Sequence, residues 1–114
     1  MKKVLAAVLG MAFMAVASAN PMAGKWKWEG FVINVTEGGA NGLSAKVESG
    51  PKNVGMEMIQ SPMADKDGAM VGKVKHPMTG MVYNAKMTLD GDTWKMDGCT
   101  DDGACASGNF TRVK

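Results

Sequence analysis

The sequence predicts an all-β domain, a small antiparallel up-and-down barrel of about eight strands, and three observations predict it. Turn signals recur about every eight to twelve residues, the spacing of a sandwich or barrel. Between them apolar and polar residues alternate. The clearest run sets Met81, Tyr83, Ala85, Met87 and Leu89 against Val82, Asn84, Lys86 and Thr88, the period of a strand with one buried face. No segment carries the i, i+3, i+4 apolar stripe of a helix over three turns. A barrel of this strand number has an interior just filled by side chains, or roomy enough for one small ligand.

The chain has 114 residues, but its start reads as a leader. Lys2 and Lys3 precede an apolar stretch from Val4 to Val16, and Ala17-Ser18-Ala19 supplies the small residues a signal peptidase reads. Such a segment is too short and wrongly flanked for a membrane span. Residues 1-19 are therefore expected to be a signal peptide cleaved after Ala19, and residues 20-114 a single small β-barrel domain that is periplasmic or secreted. No later segment approaches the roughly 20 apolar residues of a membrane helix. Loss of Lys2 and Lys3 turns 13 basic against 11 acidic residues into 11 against 11, so the net charge of +2 falls to zero. A neutral domain with no basic patch is not expected to bind nucleic acid.

In chain order, Asn20 to Gly24 is an arm. Lys25 to Trp28 is a first strand with Trp26 and Trp28 on one face, and Glu29-Gly30 a turn or bulge. Phe31, Ile33 and Val35 then point inward with switched parity, as a Gly at a bend permits. After the loop Glu37–Gly42, Leu43, Ala45 and Val47 mark a third strand. Val54 to Gln60 is predicted as a fourth, with Val54, Met56 and Met58 on one face. Ser61 to Gly68 reads as a loop holding Pro62 and the turn Asp65–Gly68. Met70, Gly72 and Val74 alternate up to the turn His76–Gly80, and the run from Met81 to Leu89 leads through Asp90-Gly91 to Trp94 and Met96. Ser107 to Val113 closes the barrel, with Phe110 and Arg112 on one face.

Cys99 and Cys105 are the only cysteines, in CTDDGAC. An even count in an exported chain points to a disulfide, and Asp-Asp-Gly between them suits a hairpin turn. A redox-active or metal-binding dithiol would want a second Cys pair or an adjacent His, and neither is present.

The stretch Gly72, Val74, Pro77, Gly80, Tyr83, Ala85 and Leu89 resembles the G-x-[IV]-x-x-P-x-x-G-x-x-Y-x-A-x-x-x-L pattern of the exported bacterial family called domain of unknown function 2147. Gly24-Lys25-Trp26 and Asn109–Arg112 resemble that family's terminal motifs, with Phe110 where the family usually has Trp. CTDDGAC departs from the pattern, and Ser49 to Ala69 aligns poorly. The resemblance implies a lipocalin-like small barrel, in which Trp26 on the first strand is covered by Arg112 from the last. That role is structural, and the family implies no activity.

Candidate sites follow from residue type. Phe31, Met58, Tyr83, Met87, Trp94 and Met96 are expected to line whatever interior the barrel has, against a small apolar or amphipathic ligand. Methionine suits such a lining because it is flexible and polarizable. His76, Met78 and Met81 put one imidazole and two thioethers around one turn, a set that could take Cu(I), although Pro77 and Gly80 are already accounted for by turn geometry. His76 is the only histidine, and no G-x-S-x-G or paired zinc-type histidines accompany it. The reading is a non-enzymatic exported binding module needing no cofactor. The alternatives are an envelope module for a protein partner, or a periplasmic copper binder using Met and His.

Overall fold

The computed structural model describes residues 20–114; the predicted leader lies outside the described residues. Eight strands follow in order: β1 Gly24–Trp28, β2 Phe31–Glu37, β3 Leu43–Ser49, β4 Ala64–Lys66, β5 Ala69–Lys75, β6 Val82–Asp90, β7 Thr93–Cys99 and β8 Cys105–Arg112, with no helix among the described residues. They form one antiparallel sheet in the order β3-β2-β1-β8-β7-β6-β5-β4. The chain termini of the sheet meet where Trp26 pairs with Arg112 and Lys27 with Thr111.

The flanks β3 and β5 are joined by the connecting chain between them. Gly55 and Met58 donate to Val47 and Ala45 of β3, while Lys75 and Gln60 exchange bonds with Met58 and Lys73 on the β5 side. The curled sheet thus becomes a small barrel, as the alternation predicts. The connecting segment is nevertheless not the expected fourth strand. It holds two isolated bridges, Lys46 with Glu57 and Ile59 with Val74, and Val54 is 62% exposed rather than inward. Glu57 explains the interruption. Its carboxylate accepts the amides of Ala45 (2.8 Å) and Ile59 (3.0 Å) and the Ser44 hydroxyl, filling positions that ladder carbonyls would otherwise occupy. Met58 and Ile59 are then both buried, in succession.

Two further expectations change. The predicted loop Ser61–Gly68 contains the short edge strand β4, whose Lys66 pairs with Ala69 across Asp67-Gly68. Met81, expected inward, is 42% exposed. It sits in the turn before β6, where its carbonyl accepts the His76 amide at 2.7 Å and its side chain has left the sheet's alternation.

The parity switch after Trp28 has a simple origin. Trp28 and Phe31 pair directly across a two-residue hairpin, so both face inward although their numbers differ in parity. Glu29 and Gly30 have φ of 47° and 84°, the two left-handed positions a type I′ turn requires. Inside, Trp26, Phe31, Ile33, Met58 and Trp94 are fully buried. Trp26 and Trp94 pack nearly perpendicular at 5.8 Å, and Phe110 stacks on Trp94 at 4.3 Å. Cys99 and Cys105 face each other at the tip of the β7–β8 hairpin with Cα atoms 3.9 Å apart and are joined as a disulfide.

Candidate functional site: the open end of the barrel

Strand direction assigns the chain to two barrel ends. At one end lie Gly24, Glu37, Leu43, Ala69, Asp90, Thr93 and Arg112; at the other lie Trp28, Phe31, Ser49, Lys75, Val82, Cys99 and Cys105. The first end is sealed. The arm places Met22 in the core, 3% exposed, and the Trp26 indole donates to its carbonyl at 2.9 Å. Arg112 lies 4.3 Å above the Trp26 ring, donates to the carbonyls of Ala23 (3.0 Å) and Pro21 (2.7 Å), and pairs with Asp92. A guanidinium is suited to this because its planar fork stacks and donates at once.

The second end holds a cavity of about 40 Å³, walled chiefly by Trp28, His76, Tyr83, Phe110, Met58 and Met96. Each comes from a different element. Trp28 ends β1, His76 follows β5, Tyr83 is the second residue of β6, Met96 and Phe110 belong to β7 and β8, and Met58 comes from the connecting segment. Trp28 is near-perpendicular to His76 at 5.3 Å, and His76 lies 5.6 Å from Tyr83. The wall admits Trp28 because residue 108 is glycine. A Cβ there would stand 3.0 Å from the indole nitrogen, tighter than ordinary contact.

The turn after β5 orients the histidine. His76 accepts the Met78 amide at Nδ1 (3.0 Å), and its own carbonyl accepts the Gly80 amide at 2.8 Å. An acceptor at Nδ1 leaves the proton of the neutral ring on Nε2. Burial lowers the His76 pKa from its ordinary 6.5, so the ring is neutral at neutral pH. None of the pocket's lining residues carries a formal charge under those conditions.

Of the six predicted lining residues, Met58, Tyr83 and Met96 reach this cavity. Phe31, Met87 and Trp94 are at most 1% exposed and belong to the packed core. Trp28, Phe110 and Pro77 line the pocket and were not among the predicted lining residues. The signal for Trp28 is its position beside the Glu29-Gly30 turn, which puts an inward residue at a barrel rim. His76, Met78 and Met81 do not share one environment: His76 lines the pocket, Met78 packs partly buried against the core, and Met81 is exposed. Among the described residues no group of three His, Cys, Asp or Glu side chains could hold a metal ion. A wider hollow of about 650 Å³ on the outer face of β5–β7 is an open depression beside Lys73, Lys86 and Asp97.

The fold and site define a small antiparallel barrel sealed at one end and carrying an uncharged, aromatic-walled pocket at the other. Comparison with protein-family models, curated proteins and solved structures finds no match.

Proposed function

We propose that this chain is an exported, non-enzymatic binding module that holds one end of a small apolar or amphipathic molecule in the Trp28–Tyr83 pocket. The observation that carries the reading is the composition of that pocket: aromatic rings, two methionines and small residues, with no charge. Sites for small molecules are mostly apolar with a few placed polar groups. The signal-peptide pattern of residues 1–19 fits the exported part of this reading.

Volume limits the cargo. Drug-sized ligands fill pockets of about 300–1,000 Å³, whereas this cavity is about 40 Å³. A water needs roughly 10–15 Å³ measured in the same way. The pocket therefore grips a chain end or ring edge and leaves the rest of the ligand in solvent, which suits an amphipathic molecule. Trp28 stands in the wall and reports occupancy. Titration of the protein with short alkyl, acyl and aromatic compounds is expected to shift tryptophan emission saturably, and Trp28→Phe to remove most of the shift. Absence of any saturable change across the panel sinks the proposal.

A further inference from the structure

We infer that the group inserted in the pocket is neutral and carries a hydrogen-bond acceptor, the chemistry of an acyl carbonyl; this rests on the binding reading above. Three of the residues that line the cavity carry side-chain donors: the Trp28 indole N–H, the Tyr83 hydroxyl and the Nε2–H that the Met78 amide leaves on His76. No hydrogen bond among the described residues uses any of the three, and none is a buried orphan, since Trp94 Nε1 alone has that status. They are neighbours in space, Trp28 to His76 at 5.3 Å and His76 to Tyr83 at 5.6 Å. At the sealed end the equivalent Trp26 indole is satisfied by Met22. Around the open-end cavity, three neighbouring side chains keep donors with no protein partner among the described residues, whereas the unpaired Trp94 Nε1 lies in the packed core.

Charge and ring geometry disfavour the two ionic alternatives. An anion would be desolvated with no cationic residue in the lining, a penalty of several kcal/mol per ion that needs a partner charge to offset it. A cation would need exposed ring faces. The faces of the Trp28 indole are taken up by stacking, with Phe110 at 5.5 Å and Phe31 at 5.9 Å. The polar hydrogens on Trp28, His76 and Tyr83 favour an acceptor over a cation.

Four six-carbon probes separate these cases: methyl butyl ketone, hexene, hexanoate and hexylammonium, each titrated against the full mature domain by tryptophan emission. The ketone is expected to bind about three- to ten-fold more tightly than hexene, the increment of one net hydrogen bond, and more tightly than either ion. Its carbonyl stretch is expected to move to lower frequency on binding. Tyr83→Phe and Trp28→Phe should each weaken the ketone several-fold, with infrared readout replacing emission in the second, and leave hexene unchanged. Equal affinity for ketone and hexene, an unshifted carbonyl stretch, or preference for either ion overturns the neutral-acceptor inference while leaving the binding module standing. Saturation by none of the probes overturns both.

Discussion

Trp26 and Trp28 lie two residues apart on the same face of β1, and the two ends of the barrel treat them oppositely. Trp26 is fully buried, its indole nitrogen bound to Met22, its ring covered by Arg112. Trp28 is half-buried, its nitrogen unpartnered, its ring in the wall of a cavity. The residue type and strand are the same, so the difference comes from what the rest of the chain lays over each end. One end is packed shut, and the other keeps a cavity beside side-chain donors that have no protein partner among the described residues.

The contrast predicts a graded series of effects. Trp26→Ala should cost about 3–5 kcal/mol in denaturant unfolding, the range for a fully buried aromatic, and Trp28→Ala about half as much because part of its surface already meets water. Equal costs would abolish the distinction between the ends. Arg112→Ala should lose about 2–3 kcal/mol, since it removes charge-assisted bonds to two carbonyls of the arm, and should expose amides near Met22 and Trp26 to faster hydrogen exchange. Replacing Cys99 and Cys105 together by Ser should lower stability by about 2 kcal/mol, the entropy of closing so short a loop. The loss should loosen Gly98 and Ala106 at the open end and leave the sealed end's exchange unchanged.

The smallest effects are expected from acid. Burial raises the Glu57 carboxyl pKa, but hydrogen bonds from Ser44, Ala45 and Ile59, with Lys46 nearby, outweigh it and hold the group below its ordinary 4.5. The unfolded chain then takes up a proton first as pH falls, so stability present above about pH 4.5 is lost through the depressed folded value. Glu57→Gln should flatten this acid limb. His76 titrates the other way in charge but in the same sense for stability. Its folded pKa lies below 6.5 because burial disfavours the imidazolium, so the folded state is penalised as pH falls below 6.5. Protonating Nδ1 also breaks the bond from the Met78 amide. The open end should therefore loosen at milder acidity than the Glu57 seam, seen as separate pH midpoints in exchange of Met78 and Ala45 amides.

Much of the fold was legible in the chain. Alternation from Tyr83 to Leu89, the turn residues at Glu29-Gly30 and Asp90-Gly91, and the paired cysteines all act over short range and appear where their local chemistry puts them. The seam between β3 and β5 was not legible. Glu57 reads as an ordinary polar residue in an alternating segment, and its carboxylate takes on a ladder's role only because Ala45 and Ser44 are brought beside it. The pocket was half legible for a related reason: period two tells which residues point inward and is silent on which inward residues lie at a rim.

Local pattern determined the class of this protein, its inward face and its hairpins, because those depend on contacts between residues close in sequence. Tertiary structure decided which end is sealed and which stays open. That outcome depends on contacts such as Arg112 with Pro21, 91 positions apart, and no period or turn rule reaches across that distance.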